Sequence, residues 1–404
     1  MHICFVTPEY VLPNRLDGGL ANYIKKTGAA LLLKGHRVSV VVLSDLENVW
    51  DDHGVTVYEV KRSRFEFWRK KIPKSLRMYY PLLCQLANSK AISRQVTSIH
   101  NNKKIDIIQS SSYQAPGFFL LDNKGIPLCC RVSSYTPVVR SAYGKQRTLP
   151  EYLSDWLEIQ QVARATNSFA PSNFTASIFL RMEACQVRVI RTLFELEDLE
   201  FDNSILNSMT LPETYFLFFG TLSRIKGVDF LAEVLPDIFS IYTKVSMVFI
   251  GRDDGLPSGE KVFKHIEARC ASYKKRLFYL KALPKNQLYP FVSNATAVIL
   301  PSRVDNYPNV CIESLALGTP VIGTKQSSLD EIIVDGKNGF LAENSDPISI
   351  KKAMLRMLAM NEDENKFMKG EIARCVTNMR QQDPVKDLVD FYKETIEIWN
   401  AKRS

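Results

Sequence analysis

The sequence predicts an α/β protein built as two doubly wound domains, each a parallel sheet covered by helices on both faces. Three observations carry this. Short apolar, β-branched runs alternate with stretches of helical length through both halves of the chain. At 404 residues the chain is long for a single hydrophobic core, so two domains of roughly 200 residues are expected. An acidic, irregular stretch, 195–211, falls between the two repeats and reads as the linker.

In the first half, strands are expected at Ile3–Thr7, Arg37–Leu43, Val55–Val60, Asp106–Ser110 and Pro127–Val132. A loop, Asp17-Gly18-Gly19, follows the first strand and opens a helix near Ala21–Leu33. Gly18 and Gly19 let the backbone approach a phosphate or an acceptor closely, and a plain tight turn uses glycines equally well. The loop is not a G-x-G-x-x-G fingerprint, which counts against a nicotinamide or flavin enzyme.

The second half repeats the rhythm. Strands are expected at Phe216–Phe219, Ser246–Ile250, Leu277–Leu280, Ala297–Leu300 and Pro320–Gly323, with helices starting near Val228, Lys261, Leu288, Asn309 and Pro347. The domains are therefore 1–195 and a second that begins at 212. In doubly wound sheets, ligands bind outside the carboxyl ends of the strands, so the facing domains should enclose a cleft.

Composition bounds the function. Apolar content of 46% and charged content of 24% are those of a soluble globular protein. No apolar run approaches the ~20 residues of a membrane-spanning helix, and the N-terminus lacks the layout of a signal peptide. A cytoplasmic protein is expected. Eight cysteines are scattered without C-x-x-C spacing, so they read as small buried hydrophobes, and no structural metal is expected. Charge is uneven: residues 1–195 carry 26 Lys/Arg against 15 Asp/Glu, and 196–404 carry 26 against 28. Much of the excess lies in 61–80, where basic residues are mixed with Phe65, Phe67, Trp68, Tyr79 and Tyr80. Such a mixture suits an anionic membrane surface, and a solvated neutral face fits it equally. Nothing else resembles a nucleic-acid reading module.

The most informative segment is LPSRVDNYPNVCIESLALGTPV, residues 300–321. A strand end runs through Pro301-Ser302 into a loop carrying Asp305, Asn306 and Tyr307. Pro308 suits a helix start, which places Asn309 and Val310 in the first turn and Glu313 about one turn inside. Free amides at a helix start attract phosphate, and carboxylates accept hydrogen bonds from sugar hydroxyls. Together they describe a site for a sugar joined to a nucleotide. A second motif, 219–229, follows the first strand of the second half, and its Lys226 can neutralise a diphosphate leaving group or serve only as a surface lysine at a helix start. Arg224 and Arg303 are looser phosphate candidates.

These residues resemble the GT4-type retaining glycosyltransferases (glycosyl transferases group 1). The likeness runs through Phe219-Gly220, Lys226-Gly227, Leu300-Pro301-Ser302, Asp305, Glu313 and the 317–323 stretch LGTPVIG, then Asp330-Glu331 and the 335–340 stretch DGKNGF. It is looser in the first half, through Gly18-Gly19, the 35–38 stretch GHRV and Ala170-Pro171-Ser172. It implies a GT-B fold of two Rossmann-like domains, 1–195 and 212–385, with a C-terminal helix, 386–404, crossing back to the first. It also implies a UDP- or GDP-sugar donor held by the second domain and a glycan acceptor in cell-surface polysaccharide synthesis; the basic, aromatic first half suggests a lipid-linked acceptor, and a soluble small-molecule acceptor is the near alternative. Glu313 would hold the ribose, Asp305 a sugar hydroxyl and Lys226 the diphosphate, aided by amides near Asn309 and Val310, with the base over Ala282 and Leu283. No metal or other cofactor is implied. A catalytically lapsed nucleotide-sugar-binding protein and a GT-B-like epimerase are the alternatives.

The chain departs from the family pattern at three places. Thr221 stands where many relatives have Arg, and Asp305 where Glu is more frequent. Relatives often carry a His after the fifth strand, where this chain reads Ser133-Ser134-Tyr135; these three would contact the sugar or acceptor instead. A missing base fits a mechanism in which the departing phosphate oxygen takes the acceptor's proton.

Overall fold

The computed structural model describes residues 1–11, 18–63, 73–123, 125–144, 146–194, 196 and 199–403, and the chain divides into two compact units. The first holds Met1–Arg140, Lys145–Leu193 and Asp383–Ser404; the second holds Ser141–Gly144 and Phe194–Gln382.

Among the described residues, the first unit is built on an eight-stranded sheet. Its strands are β1 (His2–Thr7), β2 (Arg37–Ser44), β3 (Asn48–Asp52), β4 (Val55–Lys61), β5 (Ile107–Ser111), β6 (Leu128–Arg131), β7 (Asn167–Ala170) and β8 (Arg188–Val189). They lie in the order β3-β4-β2-β1-β5-β6-β7-β8. All neighbours are parallel except the edge pair β3 and β4. Strands buried on both faces need continuous apolar runs, and β1 and β2 have them. The five strands foreseen are present within a residue or two. Three more, β3, β7 and β8, were not foreseen. The edge strand reads Asn-Val-Trp-Asp-Asp, which is half polar, and β7 and β8 are too short to show a pattern.

Helices cover this sheet at Gly19–Leu33, Tyr80–Asn102, Leu149–Arg164 and Asn173–Glu183. The 149–164 helix begins in a capping box, Thr148 with Glu151, and the 173–183 helix at Ser172, whose hydroxyl accepts from Thr175 N. The terminal helix Pro384–Ala401 belongs to this unit: Val385, Leu388, Phe391 and Tyr392 are buried in its core. Phe391 packs edge-on to Phe169 with ring centres 5.2 Å apart, and Tyr392 Oη donates to Gln109 Oε1 at 2.5 Å. Nearly half of the basic stretch 61–80, namely 64–72, and also Asp17, lie outside the described residues.

The second unit carries β9 (Thr214–Phe219), β10 (Leu222–Ser223), β11 (Val245–Ile250), β12 (Asp253–Gly255), β13 (Leu277–Leu280), β14 (Ala297–Leu300), β15 (Val321–Thr324) and β16 (Gly339–Ala342). Among the described residues, six of them form a parallel sheet in the order β13-β11-β9-β14-β15-β16, and β10 pairs only with β12. The chain builds outward from β9 through β11 to β13, then returns to β9's other side with β14. The sheet therefore has its switch point between β9 and β14, the place where doubly wound sheets bind ligands. The helix expected near Leu288 starts at Lys285, and a short 3-10 turn, Val228–Phe230, precedes the Leu231–Ile241 helix.

The expected linker 195–211 is shorter than its composition suggested. A helix, Ser204–Ser208, forms within it, and Ile205, Leu206, Met209 and Leu211 pack on the second unit's core. Asp202 also accepts from Gln287 Nε2 at 2.8 Å. These four apolar residues draw an otherwise acidic segment onto the domain.

Candidate active site

The loops that leave β9 and β14 meet at the switch point because the two strands are sheet neighbours, Phe216 beside Ala297 and Leu217 beside Val298. Glycine sets the approach. Gly227 has φ +65°, and a Cβ there would fall 1.8 Å from the Pro301 carbonyl oxygen. Only a residue without a side chain lets the 220s loop press against the 301–303 segment this closely. Gly251, with φ +150°, abuts the Gly220 carbonyl in the same way.

This contact places Lys226 against Asp305. Lys226 Nζ donates to Asp305 Oδ2 at 2.7 Å, and Ser302 Oγ donates to the same oxygen at 3.0 Å. Asp305 Oδ1 accepts from Asn306 N at 3.1 Å. The carboxylate side chain is 10% exposed and the lysine 31%, so the pair sits at a surface opening. Tyr307 is buried with φ +55°, and its N–H donates to Ser328 Oγ at 2.7 Å, which turns the chain into the Asn309–Ala316 helix. That helix starts at Pro308 without a side-chain cap. The first amides of a helix have no acceptor within it, so Asn309 and Val310 present partial positive charge. Glu313, one turn on, has a side chain 18% exposed with Lys285 Nζ at 3.9 Å.

Lys226, Asp305, Asn306, Asn309, Val310 and Glu313 are thus gathered around one switch point. Thr221 lies on the same β9 loop, and Leu283 packs against the core of this unit. Ala282 is exposed beside it. Arg224 Nε donates to the Ala142 carbonyl at 3.1 Å. Arg303 is not placed as a phosphate ligand: its guanidinium is held by Asp229, at 2.6 and 2.9 Å, and lies over the Phe230 ring at 3.7 Å.

In the first unit, Gly18 is the extended N-cap of the 19–33 helix, with φ −80° and ψ 175°, and Gly19 has open space where a Cβ would stand. Of the residues after β6, Ser133 and Ser134 are half-buried and Ser133 N donates to Ser112 Oγ at 2.9 Å. Tyr135 is buried, edge-on to Phe179, with its hydroxyl donating to Glu183 at 2.5 Å, so its ring serves packing. Sequence reasoning missed a row of buried polar residues on the 149–164 helix: Asp155, Glu158 and Gln161. Glu158 accepts from Gln114 N at 2.8 Å and from the Thr136 hydroxyl, and so ties the loops after β5 and β6. Gln114 and Ala115 are both left-handed, φ +62° and +46°. Burial pushes the Glu158 carboxyl up to about 7. The three-residue spacing of these polar groups was the available signal.

Among the described residues, no group of three or more His, Cys, Asp or Glu is placed to hold a metal ion, and no helix is long and apolar enough to cross a membrane. The eight cysteines are free thiols, and Cys4, Cys129, Cys130, Cys270 and Cys311 are buried.

Two Rossmann-like units, each with helices over a parallel sheet, are the architecture of the GT-B proteins. Comparison with known proteins agrees. Residues 207–373 match the family described as Glycosyl transferases group 1, and residues 17–198 match Glycosyltransferase Family 4. Each model covers less than half of the chain, and together they span most of it and mark it as a glycosyltransferase. A glycosyltransferase of Methanocaldococcus jannaschii is 25% identical over 98% of this chain and 99% of its own length. A second from that organism is 31% identical over 38% of this chain and 40% of its own. A D-inositol 3-phosphate glycosyltransferase of Acidothermus cellulolyticus is 27% identical over 45% of this chain and 41% of its own. Two of these three matches therefore span less than half of the relative. Among solved structures, sucrose-phosphate synthase from Thermosynechococcus elongatus superposes with a TM-score of 0.78 at 16% identity, covering 97% of this chain and 98% of that one. An E. coli trehalose-6-phosphate protein bound with UDP-2-fluoro glucose gives 0.74 at 12%, covering 98% and 99%. These likenesses show the fold.

Proposed function

We propose that the chain is a retaining, metal-independent glycosyltransferase that moves a sugar from a UDP- or GDP-sugar to a glycan acceptor in cell-surface polysaccharide synthesis, the basic, aromatic first half favouring a lipid-linked one. The observation that carries this is the gathering of Lys226, Asp305, the 309–316 helix start and Glu313 at one switch point. A cation and free amides suit a diphosphate, and the two carboxylates suit the hydroxyls on either side of it.

In this reading the second unit holds the donor and the first the acceptor. Glu313 takes the ribose hydroxyls, Asp305 a hydroxyl of the transferred sugar, and the base lies over Ala282 and Leu283. The bond from the anomeric carbon to the diphosphate breaks, and the bond to the acceptor oxygen forms on the same face. The acceptor's proton passes to the departing phosphate oxygen, and Lys226 with the Asn309 and Val310 amides offsets the charge that develops there. The solved neighbour bound with UDP-2-fluoro glucose supports a uridine donor. The basic, aromatic stretch 61–80 supports a peripheral position on the cytoplasmic membrane face.

The test is proton NMR of the first-formed product from an α-linked nucleotide sugar, with and without EDTA. An α product at an undiminished rate in EDTA is expected. A β product removes the retaining mechanism, and loss of activity in EDTA removes metal independence.

A further inference from the structure

Arg303 looks in sequence like one more phosphate-binding cation. The geometry gives it different work. Its side chain is 10% exposed and that of Asp229 is 14%. Its two terminal nitrogens bond both carboxylate oxygens of Asp229, at 2.6 and 2.9 Å, and Nη1 also donates to the Arg224 carbonyl. The plane stacks on Phe230. Its backbone N–H donates to the Ile225 carbonyl at 2.8 Å, and its own carbonyl accepts from Asn344 Nδ2 at 3.0 Å. Asn344 in turn donates to Lys325 O at 3.2 Å, so the loop after β15 joins the same knot.

Lys226 is flanked by these contacts. Ile225 before it is bonded to Arg303 N, and Gly227 after it lies on the Pro301 carbonyl. Asp305 is two residues beyond Arg303. A fork pairing of guanidinium and carboxylate fixes both distance and plane, which a lysine cannot reproduce.

We propose that the Arg303–Asp229 pair is a positioning device that fixes the Lys226 ammonium at the diphosphate locus of the donor. This rests on the donor-site reading above. Arg303 touches no substrate in this account and acts through Lys226 alone.

The experiment is calorimetric titration of the full chain with UDP, GDP, uridine and guanosine, for wild type, Arg303→Lys, Lys226→Ala and the double variant. Uridine and guanosine lack the phosphates that Lys226 would meet. For whichever diphosphate the wild type binds, Arg303→Lys should weaken it about tenfold while its nucleoside changes less than about twofold. In the Lys226→Ala background, Arg303→Lys should then have no further effect on the diphosphate. Equal weakening of nucleotide and nucleoside, or full additivity with Lys226→Ala, overturns positioning in favour of a general structural role. Unchanged diphosphate binding in Arg303→Lys also overturns it. If wild type binds neither diphosphate, the donor-site reading itself has failed. Removing one partner of a buried pair is destabilising, so Asp229→Asn, which keeps the shape and one acceptor, is read the same way if Arg303→Lys does not fold.

Discussion

Lys226 Nζ donates to Asp305 Oδ2 over 2.7 Å although 79 positions separate the two residues. The pair joins the loops that follow two neighbouring strands, one on each side of the sheet's switch point. A donor diphosphate would compete with Asp305 for that ammonium. Lys226→Met should therefore lower transfer or donor hydrolysis by about 10²–10³-fold. Asp305→Asn should do something different: it frees Lys226 for the diphosphate while removing a sugar contact. Titration with UDP or GDP should show binding as tight as wild type or tighter, with turnover strongly reduced. Weaker nucleotide binding in Asp305→Asn would show that the pair is needed intact.

Gly227 is held at φ +65° with the Pro301 carbonyl where a side chain would begin. Gly227→Ala should cost about 1–3 kcal/mol for the left-handed backbone alone, with displacement of the 301–303 segment added. A thermal melt should fall clearly and nucleotide binding should weaken with it. A melt like wild type would mean that the loop can move away without loss.

The buried Glu158 gives a pH dependence. Its carboxyl titrates near 4.5 when unfolded and is pushed up to about 7 by burial in the fold. Between those values the folded state binds more protons than the unfolded one, so stability is present below about 4.5 and is lost as pH rises through about 7. Glu158→Gln should flatten this slope and melt above wild type at pH 8. Parallel melting curves from pH 4.5 to 8 would place the titration elsewhere.

The terminal helix returns to the first unit through fully buried Phe391 and Tyr392. Phe391→Ala should cost about 3–5 kcal/mol, the usual loss for a buried phenylalanine. Chemical unfolding followed in the first unit should show it, and a loss below about 1 kcal/mol would mean that the helix is loosely docked.

What could be read in the sequence follows from local signals. Strands such as β13 and β14 are continuous apolar runs and were placed to the residue. Pro308 marks the start of the 309–316 helix, and that sets Asn309, Val310 and Glu313 one turn apart. Contacts between distant segments left no such trace. The Arg303–Asp229 fork spans 74 positions, and nothing around Arg303 separates a strut from a ligand. Tyr135 was legible as a polar residue at a strand end, but its burial against Phe179 depends on how the 173–183 helix packs. β3 and β7 were missed because an edge strand and a four-residue strand carry too few apolar positions to show a period.

The central claim is that one switch point in the second unit holds a nucleotide sugar. The most direct measurement is a thermal-shift and hydrolysis screen of UDP- and GDP-sugars, with and without EDTA, on wild type and Glu313→Ala. One donor is expected to raise the melting temperature and slowly release its nucleotide diphosphate in EDTA, and Glu313→Ala to lose both effects. A wild type that no nucleotide sugar stabilises, or a Glu313→Ala variant that responds as fully as wild type, would contradict it.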